Sequence, residues 1–122
     1  MVKPSQGRLT GREPVSVVDI GSNSMRLVVS EGIVRPPTVL FNEKILCGLG
    51  KGIADTGRLN QKAVDSALAA LKRFRALSAQ AGAKTMHVLA TAAAREAANG
   101  SAFIADAERI LGVKIRVLTG HE

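Results

Sequence analysis

The chain has 122 residues, 46% of them hydrophobic, which supplies one globular core and too little for two comfortable domains. Aromatics make up 2% with no Trp or Tyr, so the core is built from Ala, Val, Leu and Ile, and the stacking platform and dense basic helix used by nucleic-acid binders are missing. Seventeen Lys and Arg against ten Asp and Glu give a formal charge of +7, which attracts polyanions, while one Cys and two separated His exclude a disulfide and an all-protein zinc site.

Residues 1–13 read as a flexible arm: they are basic, but no apolar signal region follows, and no apolar run approaches a membrane span. With the lone cysteine, this predicts a cytoplasmic protein. Val15 to Ile20 is β-branched and apolar nearly throughout, the pattern of a central strand covered on both faces. The run breaks at Gly21-Ser22-Asn23-Ser24 and resumes over Leu27 to Ser30, which predicts an antiparallel hairpin. A third strand is expected within Thr38 to Leu46, after the Pro36-Pro37 breaker.

"CGLGKGIADTGRL" follows as a glycine-rich loop and ends at Asn60, a good N-cap. The next helix carries Val64, Leu68, Leu71 and Leu77 at three- and four-residue steps, widened by Phe74, and Gly82 closes it. Lys84 to Ala90 reads as a strand, Ala92 to Ala98 as a short helix, Ser101 to Leu111 as another helix, and Val113 to Leu118 as a last strand. The order β-β-β-α-β-α-β predicts an α/β fold, a mixed five-stranded sheet with flanking helices, over residues 14–122. The ending "LTGHE", directly after an apolar strand, is expected to be a cut end.

Two segments carry candidate chemistry. In "DIGSNS" a turn of small residues, Gly21 to Ser24, can present backbone N–H groups and hydroxyls to a phosphate, while Asp19 can hold Mg²⁺ directly or through waters. The alternative is an ordinary hairpin in which Asp19 and Asn23 make local turn hydrogen bonds. In "LATAAARE", Thr91 can cap the helix that follows the strand, the first amides form an anion site, and Arg95 can clamp phosphate oxygens. "GLGKG" lacks the spacing of a phosphate loop and reads as a flexible connection, with Lys51 able to reach an anion across a cleft. His87 and His121 read as structural, because neither has a Ser and Asp partner at a motif spacing.

"VVDIGSNSMRLVV", "ATAAAREAANG", "FIADAERILGVKIRVLTG" and the terminal "GHE" together resemble the amino-terminal domain of the exopolyphosphatase / guanosine pentaphosphate phosphohydrolase family. The resemblance runs from Val15 onward and implies a ribonuclease-H-like domain of the actin-like ATPase superfamily. It implies that Asp19 lies near the metal, that Gly21, Ser22, Asn23 and Ser24 surround the phosphates, and that Thr91 and Arg95 contact phosphate. It also implies Mg²⁺, attack of water on the terminal phosphate of inorganic polyphosphate or guanosine pentaphosphate, and a glutamate base. Glu122 matches the first acidic position of the family's Gly-x-Glu-Glu-Ala segment, and the base is expected at the position just beyond it. The second phosphate loop belongs to a partner domain absent from this sequence, so the isolated chain is expected to be inactive. A homodimeric parent is one arrangement the sequence leaves open, as are a non-catalytic phosphate- or polyanion-binding module of the same fold and a sugar or acetate kinase of the same superfamily.

Overall fold

The computed structural model describes residues 13–31 and 39–118. The amino-terminal arm up to residue 12, the Pro36-Pro37 break, His121 and Glu122 lie outside the described residues.

Three strands, β1 (Val15–Ile20), β2 (Ser24–Ser30) and β3 (Val39–Leu46), form an antiparallel meander. After the helices α1 (Ile53–Thr56) and α2 (Gln61–Gln80), strand β4 (Thr85–Thr91) pairs parallel to β1. Helices α3 (Ala92–Glu96) and α4 (Gly100–Leu111) then lead to β5 (Ile115–Leu118), parallel to β4. The five strands make one mixed sheet in the order β3-β2-β1-β4-β5. This is the expected sheet with flanking helices; α1 and α3 are single short turns within the expected order.

Helix α2 forms where the 3.6-residue pattern predicts it. The Asn60 side chain accepts from the Ala63 N–H at 2.9 Å, satisfying one of the donors that a helix start leaves open. At the other end the chain leaves the helix through Gly82, whose φ of 86° a side chain would disfavour. The buried face of α2, including Ala67, Leu71 and Phe74, shares one apolar core with Val18, Met25 and Leu27 of the sheet and with Phe103 and Ala107 of α4. Phe74 and Phe103 are almost wholly enclosed, so each contributes about 1.5–3 kcal/mol through burial. Outside this apolar core, Arg75 of α2 donates to the Ile110 carbonyl at 2.7 Å, and Glu108 accepts from the Ile115 N–H at 2.8 Å. These two contacts fix α4 between α2 and the last strand.

The alternation along β1 corrects the expectation of a strand covered on both faces. Ser16, Val18 and Ile20 are buried under the helices, whereas Val15 and Val17 are half-buried and Asp19 is exposed on the other face. The same holds for β2, where Met25, Leu27 and Val29 are buried and Arg26 is exposed. Valine-rich composition is therefore compatible with a sheet whose second face stays half open among the described residues. No helix of the described residues is long and apolar enough to cross a membrane.

One polar pair interrupts the core: Ser16 donates to Ser78 at 2.7 Å, with both residues buried. The bond ties β1 to α2 and gives each hydroxyl a partner in place of water. Ser16→Ala is expected to cost about 1–2 kcal/mol, because it strands the Ser78 hydroxyl, and the Ser16→Ala/Ser78→Ala pair is expected to cost less than the two single changes added together. A urea-unfolding double-mutant cycle reads this directly; strictly additive losses would show that the bond contributes nothing.

Candidate functional site

Strands β1, β4 and β5 run in the same direction, so their carboxyl ends lie along one edge of the sheet, the edge at which open α/β sheets bind ligands. The register pairs Asp19 with Leu89 and Ile20 with Ala90. One step further, the Gly21 turn and Thr91 reach the same edge. The structure thus brings together two segments that are far apart in sequence.

The turn itself is tight. Gly21 donates to the Ser24 carbonyl at 2.9 Å, and a Cβ on Gly21 would lie 3.0 Å from that same oxygen. Ser24 belongs to β2 and pairs with Leu46, so the turn proper is Gly21-Ser22-Asn23 and β2 begins three residues before the predicted start at Leu27. Residues 47–50 close over it: the N–H groups of Cys47 and Gly48 both donate to the Asn23 carbonyl at 3.0 Å, and that of Gly50 to the Ser22 carbonyl at 2.8 Å. The Ser22 and Asn23 carbonyls, which would repel an anion, are occupied. Among the described residues no backbone hydrogen bond uses the N–H groups of Ser22 or Asn23.

Gly50 makes this closure possible, since a Cβ there would lie 2.9 Å from the Ser22 Cβ. A cavity of about 530 Å³ opens beside the contact, lined by Ser22, Asn23, Gly48, Gly50, Lys51 and the start of α1. The "GLGKG" connection is thus a wall of the site. Sequence reasoning gave it only the reach of Lys51; its one usable signal was a glycine on each side of a lysine.

Asp19 is exposed on the open face, opposite Arg26 in the β1–β2 register, and no ion pair forms between them. No group of three or more His, Cys, Asp or Glu among the described residues could hold a metal by itself. A single carboxylate beside a turn with free backbone N–H groups has the chemistry of a Mg²⁺ ligand, an ion commonly held by one or two carboxylates plus substrate phosphates and waters. Cys47 at the edge of the turn is no competing nucleophile: burial pushes its thiol up, so it stays protonated at neutral pH.

Thr91 is the last residue of β4, and its Oγ1 is buried without a hydrogen-bond partner. It therefore does not cap α3, contrary to expectation; α3 is a single short turn, and the hydroxyl lies buried and unpartnered at the end of β4. Arg95 is exposed, without an ion pair among the described residues, and lines a separate groove of about 290 Å³ with Ser101, Glu108 and Val117. The turn and Thr91 thus share an edge, while Arg95 stands on its α4 side. His87 lies exposed in mid-strand, away from that edge.

Asn99, which the sequence did not single out, holds the corner between α3 and α4. Its Oδ1 accepts from the Leu59 N–H at 2.8 Å and its Nδ2 donates to the Leu59 carbonyl at 3.1 Å. Beside it the Ala98 N–H donates to the Gly57 carbonyl at 2.8 Å.

The fold recurs in solved proteins. The Ppx/GppA phosphatase of Aquifex aeolicus superposes with a TM-score of 0.82 at 27% identity, over 88% of this chain and 36% of that one. An exopolyphosphatase from Cytophaga hutchinsonii gives a TM-score of 0.80 at 29% identity, over 89% of this chain and 35% of that one. The chain therefore spans about a third of the length of these relatives, and its fold is the actin-like ATPase domain that the family resemblance implied. The model of the Ppx/GppA phosphatase family matches residues 27–122. With the family pattern running from the hairpin's second strand through every later element, the chain belongs to the Ppx/GppA phosphatase family.

Proposed function

We propose that this chain is the phosphate-gripping part of an enzyme that removes terminal phosphate from inorganic polyphosphate or guanosine pentaphosphate. The observation that carries the reading is the polarity of the Gly21 turn: its Ser22 and Asn23 carbonyls are engaged by residues 47–50, while the N–H groups of the same two residues are left for an anion. The Ser22 and Ser24 hydroxyls and the partnerless Thr91 hydroxyl add donors at the same edge. Arg95 is the cation available from the α4 side.

Asp19 is the residue that would hold Mg²⁺. When bound, the ion would neutralise charge on the phosphate oxygens. The chain's own part is to fix the terminal phosphate so that water attacks the phosphorus opposite the bridging oxygen. The P–O bond to the rest of the chain breaks, orthophosphate leaves, and the proton of the water passes to a base. The family resemblance assigns that base to a glutamate following Glu122 and the second phosphate loop to a further domain. This chain by itself is therefore expected to bind phosphate chains without turnover, in a protein that works in the cytoplasm.

Phosphate release from polyphosphate and from guanosine pentaphosphate, with Mg²⁺, is the test, comparing the 122-residue chain with a reading frame extended to the length of its relatives. Release by the longer protein and none by the chain is the expected result. Polyphosphate binding without release by the longer protein would instead establish a non-catalytic phosphate-binding module.

A further inference from the structure

We infer that β3, at the free edge of the sheet, is a self-association surface: a second copy of this chain pairs with it antiparallel, centred on Glu43, and joins the two five-stranded sheets into one. The inference stands apart from the reading of the Gly21 turn. β3 is the outer strand in the order β3-β2-β1-β4-β5, so the backbone groups along its far side have no strand to meet. It has eight residues, whereas the opposite edge, β5, has four. The large hydrophobics exposed among the described residues are Val39, Leu40 and Leu46, at 56%, 41% and 78%, and all three lie on this strand. Length and exposed apolar side chains are the features that invite an edge to pair.

The sequence of the strand selects the occupant. Residues opposed in an antiparallel pair share a face, so each register fixes a set of contacts. With Glu43 at the centre, Phe41 of one copy opposes Ile45 of the other and Asn42 opposes Lys44, and two-fold symmetry makes each contact twice. Leu46 then reaches Leu40 of the other copy, where the β2–β3 register shifts beside Val29 and Ser30. Apolar meets apolar and polar meets polar along the strand. Moving the centre to Asn42 sets Leu40 against Lys44 and Phe41 against Glu43; moving it to Lys44 sets Leu46 against Asn42 and Ile45 against Glu43. Only the register centred on Glu43 matches the two copies throughout.

That register brings the two Glu43 side chains face to face, which would repel if they were bare. They are not bare. Arg73 of α2 donates to the Glu43 carboxylate from Nε at 2.6 Å and from Nη2 at 3.0 Å. This two-point hydrogen bond holds the Glu43 carboxyl below the usual carboxylate range. A two-fold axis perpendicular to the sheet keeps the helices of both copies on one side, so two carboxylates and two guanidiniums gather at the axis with no net charge.

Sedimentation equilibrium of the 122-residue chain tests this, with circular dichroism to check that each variant keeps its fold. The unaltered chain is expected to be largely dimeric at about 100 μM. Leu46→Lys, at an exposed side chain, is expected to weaken association about tenfold, because it removes both Leu40–Leu46 contacts. Arg73→Gln, on α2 rather than on the strand, is expected to weaken it about fivefold by leaving the two carboxylates opposed. Glu43→Gln/Arg73→Gln, which removes both charges, is expected to restore it to within about twofold of the unaltered chain. An unaltered chain that is monomeric at about 1 mM would overturn the proposal outright. Association undiminished in Leu46→Lys would overturn β3 as its surface. A loss in Leu46→Lys with none in Arg73→Gln, or no recovery in the double variant, would overturn the register centred on Glu43.

Discussion

Gly100→Ala is expected to lower the stability of the chain by about 3 kcal/mol, at the upper end of what overpacking costs. A Cβ at this position would lie 2.1 Å from the Ala94 carbonyl oxygen and 2.5 Å from that of Arg95. Both are backbone atoms, so no side chain can swing aside; α3 or the start of α4 has to move. The reason is space, since Gly100 is not among the residues with positive φ. Domains of this size hold only about 5–15 kcal/mol in total, so the loss is a large share of the whole. Urea unfolding should show a lower midpoint with an unchanged slope. A shift within about 0.5 kcal/mol, ordinary for a surface substitution, would mean that the corner relaxes freely and that the close approach has no energetic consequence.

Asp19→Asn, made in the reading frame extended to the length of the relatives, is expected to lower phosphate release from polyphosphate by about 10²–10³-fold. The substitution keeps the shape of the side chain and removes the charge. Asp19 is exposed, so folding should be untouched, which circular dichroism checks. Its cross-strand neighbour is Arg26, and Arg26→Gln separates two explanations. If Asp19 served only to balance that arginine, both variants would lose activity alike. If it holds Mg²⁺, only Asp19→Asn should lose release and also require a higher Mg²⁺ concentration for what remains. Near-normal release from Asp19→Asn would remove the residue from the site.

Elements governed by local rules were legible in the sequence. Asn60 announced the start of α2 because its side chain satisfies the amide of Ala63, three residues on. Gly82 announced its end because the chain there needs a positive φ. Other features depend on what the rest of the chain does. Val15 and Val17 are as apolar as Val18, and nothing local says which of them meets the helices. Helix α1 is one turn between Gly52 and Gly57, too short to carry a periodic pattern. Within the candidate site, the turn and Thr91 stood out as residues, but their meeting depends on β1 pairing with β4. The loop over the turn was hidden for another reason: it is attached through backbone carbonyls, which every residue has, and only the lack of a side chain at Gly50 hinted at the contact.

The Asn99 clasp joins residues 40 positions apart in the chain. Releasing Arg58 and Leu59 from their place requires breaking the same bonds that hold the corner between α3 and α4, so neither segment can fluctuate open alone. Slow hydrogen exchange at the Leu59 and Ala98 amides should then report one shared opening event, so that the segment before α2 and the corner after Arg95 behave as a single cooperative unit on long timescales.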